Sequence, residues 1–383
     1  MRLPVKSSAL LAIGFSLVAA ASTSLSVDSQ ASVVVIPSTV RNGLTEAQFI
    51  SSTHGLDGPK LSNINSTAFG EVWYFDAVSE DGKYSVVAFF WASPSPSLTA
   101  QLQNEKILSA QVIVREDDDI YSANSVFAET AEIFTSAKGT SGLWIGTGCS
   151  FSGSQSLSTY SVNFSSPFEI TGSIILESVA PAHYKCSPAE AGVDTQILPN
   201  FGWVNAVPDA QTTVDLKINA KNIKFKGIGY HDLTWSNAPF FSKAKGSLFT
   251  EYQWAHGRIG PYSIVWLVIT GSDGTDLTSG YVSRDGKVLG TPCSNVSVIP
   301  QFNTSTRQIR RFFAQIDLGH EGTLYAQLDV GGILINDAGF VAGSGELSGG
   351  LSGETFRHAG VASFEYYKSV QLPEMLSGPH IMH

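Results

Sequence analysis

Charge is scarce in this sequence. Asp, Glu, Lys and Arg make up 15% of the 383 residues, against about a quarter in an average soluble protein. The balance leans acidic, with 33 carboxylates to 23 bases and a formal net charge of −10. No basic run longer than Arg310-Arg311 is present to neutralise a phosphate backbone, which excludes nucleic acid as a partner. Long apolar runs are missing too. Ala9 to Ala21 falls short of the roughly 20 residues that a spanning helix needs, and no later stretch reaches that length. Cysteine is limited to Cys149, Cys186 and Cys293, an odd set with no histidine at ligand spacing, so a zinc site is not expected. There is no Gly-x-Ser-x-Gly elbow, no His-Glu-x-x-His, no phosphate-binding glycine loop and no Gly-x-Gly-x-x-Gly. The acidic run Glu116 to Asp119 lacks calcium-loop spacing and reads as a solvated turn, and His380 and His383 in the tail have no ligand partners in view. Neither a metal nor a cofactor is expected.

The N-terminus is legible as a targeting segment. Arg2 and Lys6 give a positive start, the apolar stretch follows, and Ala19-Ala20-Ala21 offers small residues for cleavage. A signal peptide over residues 1–21 is expected, cleaved between 21 and 31, with no membrane span left afterwards. The protein then belongs to the secretory pathway: reticulum lumen, vesicles or medium. Asn65, Asn163, Asn295 and Asn303 each begin an Asn-x-Ser/Thr sequon and are glycosylation candidates in that compartment. Proximity in sequence favours a Cys149–Cys186 disulfide, with Cys293 left over.

Period-2 alternation dominates the rest. Val214, Leu216 and Ile218 alternate with Asp215 and Lys217, the pattern of a half-buried antiparallel strand. Asp81-Gly82 lies between two strand-like runs, Glu71–Ser79 and Lys83–Trp91, and predicts a hairpin. Asp273-Gly274 and Asp285-Gly286 divide Tyr262–Gly290 into a three-stranded meander. Short helices are expected only over Thr45–Ser52 and Ala128–Ser136. The fold class is all-β, in two tandem domains: an N-terminal β-sandwich-like unit over 32–236 and a C-terminal lipocalin-like antiparallel barrel over 237–383.

Two segments concentrate chemistry. In Gly70-Glu71-Val72-Trp73-Tyr74-Phe75-Asp76, strand parity puts Glu71, Trp73 and Phe75 on one face, with Tyr74 and Asp76 on the other. A carboxylate beside two rings is costly to bury unless it meets a partner or a ligand. In Tyr230-His231-Asp232-Leu-Thr-Trp235, Tyr230 and Asp232 point one way, His231 and Trp235 the other. A hydrogen-bonded plug between domains is the structural alternative for this block. Tyr252, Trp254, Tyr262 and Trp266 add rings that serve either as core or as the lining of an apolar ligand cavity.

These blocks carry a resemblance. Glu71-Val-Trp-Tyr-Phe-Asp76 is similar to the Glu-x-Trp-Tyr-Phe-Asp block of fungal lipocalin-type Diels–Alderases. Tyr230-His231-Asp232-x-x-Trp235 resembles the Tyr-His-Asp-x-Asn-Trp signature of their hydroxyneurosporene synthase (carotenoid hydratase-like) superfamily. Gly260-Pro-Tyr262 and Ala338-Gly-Phe340-Val341 resemble further blocks, while Thr234 and Ser236 depart from the usual Asn and Gly. The resemblance implies a cofactor-independent pericyclase, and a monomer is expected. Its reaction would be an intramolecular [4+2] cycloaddition of an apolar polyene polyketide–amino acid intermediate, giving a decalin or a macrocycle-fused isoindolone. Glu71, Trp73, Tyr230, His231 and Asp232 are the catalytic candidates. Asp76, Trp235, Tyr252, Trp254, Tyr262 and Trp266 are the substrate-binding candidates. The alternatives are an isoprenoid hydratase, cyclase or isomerase working by acid catalysis, and a secreted lipocalin-like carrier of an apolar metabolite.

Overall fold

The computed structural model describes residues 31–52, 55–94, 105–239, 241–242, 246–337, 339–355 and 357–369. The expected signal peptide and the tail histidines lie outside them. Among the described residues there is no α-helix, only a 3-10 turn at Gly319–Glu321, and the strands form two large curled antiparallel sheets.

The first sheet runs from Ser32–Pro37 through Thr130–Ser136 and four further strands to Phe201–Ile218. It continues through Lys221–Ser236, Gly70–Ser79, Tyr84–Ala92 and Leu108–Glu116 to Asp119–Asn124. It curls so that its two halves share one core: Trp144, from the first half, meets Trp73 at 5.6 Å and Phe90 at 5.0 Å from the second. The second sheet has nine strands, with His358–Lys368 at its middle between Phe249–Ile259 and Phe340–Leu351. Its inner face encloses Trp266, Phe312, Phe364 and Leu324 in a separate core.

The expected turns are in place. Gly82 and Gly286 take φ of 71° and 77°, where glycine carries no Cβ penalty, and Asp81 accepts the Lys83 N–H. The two expected helices are not formed. Residues 45–52 are irregular, tied by isolated bridges from Ala47 to Leu61 and from Ile50 to Asp194. Most of 128–136 is the Thr130–Ser136 strand, because Ala131 and Ile133 alternate with Glu132 and Phe134 at period 2.

The disulfide also differs from expectation. Cys186 pairs with Cys293, Cα atoms 5.2 Å apart, and Cys149 is free. Strand parity turns Cys149 into the first core, fully buried and out of reach of the Cys186 turn. The bridge closes a loop of 107 residues and ties the first sheet's flank to the second sheet. The Cys186→Ser/Cys293→Ser variant is expected to lose about 2–4 kcal/mol of stability in urea unfolding.

One departure from alternation positions everything that follows. All ten residues of Gly70–Ser79 are buried, as are the first ten of Phe201–Ile218. The inner face of these strands meets the first core, and the outer face meets the second sheet.

Candidate active site

Between the sheets lies a third apolar cluster with a narrow cleft in it, about 610 Å³ of atom-free space when the open solvent at its mouth is included. One wall is the outer face of the first sheet. Register pairs Val72 with Trp91 and Tyr74 with Phe89 on one side, and Tyr74 with Asp232 on the other, so these side chains share that face. The other wall comes from the second sheet, where Tyr252, Trp254, Leu267 and Glu365 face inward.

The polar groups gather at one place. Asp232 Oδ2 accepts from Trp203 Nε1 at 2.7 Å and from the Tyr230 hydroxyl at 2.8 Å. Glu365 Oε2 accepts from the Tyr252 hydroxyl at 3.1 Å. Behind them, Asp76 accepts from the Tyr74 hydroxyl at 2.9 Å and lies 2.8 Å from His256 Nε2. Burial, and then the neighbouring Asp232 charge, pushes the Glu365 carboxyl up to about 8. Burial also raises Asp232, to about 6, against the pull of its two donors. At neutral pH Glu365 is therefore mainly a carboxylic acid, able to donate. Trp91 Nε1, in the opposite wall, is a buried donor without a hydrogen-bond partner among the described residues.

The structure divides the residues singled out in the sequence. Asp232, Tyr252 and Trp254 line the cavity. Tyr230 backs it, packed against Trp254 at 4.9 Å and stacked on His256 at 4.7 Å, and Asp76 lies beside that stack.

Glu71, Trp73, His231 and Trp235 face the opposite way, into the first core. There Glu71 Oε1 accepts the Lys60 and Leu61 N–H groups, and Trp73 Nε1 donates to the Asp57 carbonyl at 2.7 Å. His231 stacks on Phe75 at 3.9 Å, with Nε2 3.4 Å from Asp57 Oδ2, while Trp235 stacks on Phe49. Glu71, Trp73 and His231 thus hold the Asp57–Leu61 segment and Trp235 holds Phe49, on the face turned away from the cavity. Tyr262 and Trp266 point into the second core, where the Tyr262 hydroxyl donates to Glu354 at 2.6 Å. Of the sequon residues, Asn163, Asn295 and Asn303 are exposed and Asn65 is half-buried.

Glu71→Gln is accordingly expected to keep turnover within about twofold of wild type in steady-state assays. A tenfold loss in a folded variant would return Glu71 to the site.

The cavity residues missed in the sequence are Trp91, Phe89, Trp203 and above all Glu365. The last had the same mark that drew attention to Glu71, a lone carboxylate in an aromatic run, Phe364-Glu365-Tyr366-Tyr367.

Comparison with known proteins decides the family. The profile described as Diels-Alderase-like matches residues 39–299. The chain belongs to the Diels-Alderase-like family. A quinolone epoxide rearrangement protein of Emericella nidulans is 32% identical over 70% of this chain and 72% of its own length. A Diels-Alderase of Pyricularia grisea is 29% identical over 62% of this chain and 56% of the relative. In fold, the chain is similar to the crystal structure of CghA with Sch210972, with a TM-score of 0.70 over 88% of this chain and 98% of that one, at 18% identity. Membership makes the protein an enzyme of the cyclase or isomerase type in fungal secondary metabolism, as the two sequence blocks imply.

Proposed function

We propose that the interdomain cavity folds a linear polyene with a carbonyl-bearing polar end and catalyses its intramolecular [4+2] cycloaddition without a cofactor. The observation that carries this reading is an aromatic cavity with a carboxylic acid, Glu365, held protonated in its wall. A cycloaddition moves no net electrons or protons. Its barrier falls when diene and dienophile are held in a reactive fold, an effect worth up to about 7–11 kcal/mol for ideal orientation. The rings of Trp254, Tyr252, Phe89 and Trp91 supply the mould. Glu365 donates a hydrogen bond to the dienophile carbonyl, whose oxygen gains charge in the transition state. The head group, a tetramic acid or pyrrolinone, sits by Asp232 and Glu365, and the product is a decalin or an isoindolone.

A second reading has a specific observation in its favour. A buried acid with a pKa raised to about 8 also suits proton delivery to an epoxide oxygen, which breaks the carbon–oxygen bond and starts a rearrangement. The similarity to the quinolone epoxide rearrangement protein of Emericella nidulans supports it.

The test is to incubate the full chain with a linear polyenyl pyrrolinone. An isomer of equal mass that has lost the polyene chromophore supports cycloaddition. A product heavier by one water indicates a hydratase, and unchanged ligand in a stoichiometric complex indicates a carrier; either sinks the proposal. The same experiment on a quinolone epoxide discriminates the second reading.

We also propose that the enzyme works as a monomer in the secretory pathway, in two units over 32–236 and 237–383. The Cys186–Cys293 disulfide supports the compartment, since such bridges persist where the environment is oxidising.

A further inference from the structure

The second sheet has a cavity of its own. It opens at the end of the barrel where Val296–Phe302, Thr323–Asp337 and His358–Lys368 finish and where Ile309–Asp317 and Phe340–Leu351 begin. Its free space is about 1750 Å³ when the open solvent at its mouth is included. No lining residue is shared with the interdomain cavity. Strand parity keeps them apart: Tyr366 and Val341 face the barrel, while Glu365, Tyr367 and Phe340 face the other sheet.

The emptiness is local. Toward the other end the same barrel is filled by Trp266, Phe312, Phe364, Leu324 and Leu328, all fully buried, as a close-packed interior requires. At the open end the Thr323–Asp337 strand bulges twice, between Val330 and Gly332 and between Ile333 and Ile335. Bulges of this kind re-aim side chains at barrel rims. Here Ile333 stays with the barrel cluster while Leu334 joins the interdomain one.

The lining has two halves. The wall is apolar, with Phe302, Ile309, Val330, Ile333, Val341 and Tyr366. The charged residues of the lining are Arg307 and Lys368, and no acidic side chain joins them, in a chain whose acids outnumber its bases by ten. Lys368 reaches Glu251 at 3.2 Å, but its side chain is 64% exposed, and a pair of that kind holds it weakly. Arg307 has no carboxylate within ion-pair distance among the described residues. A guanidinium fork matches a carboxylate, an ammonium on the same lining adds a second positive charge, and a greasy wall below matches an alkyl chain.

We propose that the open end of the C-terminal barrel is a second binding site, for an amphipathic carboxylate whose chain enters the barrel and whose head group meets Arg307 and Lys368. It is independent of the reaction proposed for the interdomain cavity.

The test uses the full chain and dansyl-undecanoate, followed by dansyl emission. Saturable one-site binding with Kd on the order of micromolar is expected. Arg307→Glu/Lys368→Glu, which changes only solvent-facing charges, should weaken it about tenfold or more, by turning attraction into repulsion. Val341→Trp should block the chain. Trp254→Ala, in the interdomain cavity, should leave the affinity unchanged. Absence of saturable binding to the wild type would overturn the proposal. So would loss of binding in Trp254→Ala with wild-type affinity in the charge-reversed variant, because the probe would then sit between the sheets.

Discussion

Glu365→Leu is expected to lower kcat by about 10²–10³-fold on a cyclisable polyene, the usual cost of removing one donor aimed at a developing oxyanion. Glu365 lines the cavity and is mainly protonated at neutral pH, so leucine removes a donor at little cost in volume. Glu365→Gln separates the two chemistries. An amide still donates a hydrogen bond, so a cycloaddition should keep its rate within about tenfold, whereas an epoxide opening that needs the proton itself should fall as far as with leucine.

The pH profile points the same way. Glu365 works in its acid form, so the wild-type rate should decline as pH rises through about 8, and the glutamine variant should lose that limb. Stability follows the same sign. The folded-state value lies above the ordinary 4.5, so this carboxyl's contribution is fully present below about 4.5 and is lost as pH rises through about 8. A flat profile together with a wild-type rate for Glu365→Leu would remove the acid from the mechanism.

The strands were legible because water lies on one side of most of them. Val214, Leu216 and Ile218 face a core while Asp215 and Lys217 face solvent, and that contrast is written in the residues. The Asp-Gly turns were legible for a local reason, their positive φ. The site was less so, because Gly70–Ser79 is buried on both faces and its alternation carries no polarity. Parity separated Glu71 and Trp73 from Tyr74 and Asp76, but which face looks onto a cavity depends on the second sheet, more than 170 residues later in the chain. The Glu-x-Trp block drew attention to the face turned toward the first core for the same reason. A carboxylate among rings is equally costly whether it holds Asp57–Leu61 or a ligand. The cysteine pairing failed on distance too, since the bridge crosses between sheets while Cys149 is turned into a core.

Arg258→Met is expected to cost about 3–5 kcal/mol in urea unfolding, because it strands a fully buried carboxylate. Asp209, on Phe201–Ile218, accepts from Arg258 Nε and Nη2 at 2.7 Å each, and from the Ser263 hydroxyl at 2.6 Å. Burial raises the Asp209 carboxyl and the guanidinium opposes that rise. Without Arg258 the raised pKa climbs further, and the loss of stability should deepen as pH increases. The Lys224–Asp215 pair, nearly the same length at 2.8 Å, is the control: both side chains are more than half exposed, and Lys224→Met should cost less than about 1 kcal/mol. The contrast matters for function because Asp209 lies on the same strand as Trp203, and Arg258 on the same strand as Trp254. The pair clamps one cavity wall to the other. Loosening it should lower kcat/KM on the polyene even where the variant is still folded, since rings that no longer face each other at fixed distance cannot hold a flexible chain in its reactive fold. If kcat/KM stayed at the wild-type value despite the lost stability, the two walls would not be acting as one mould.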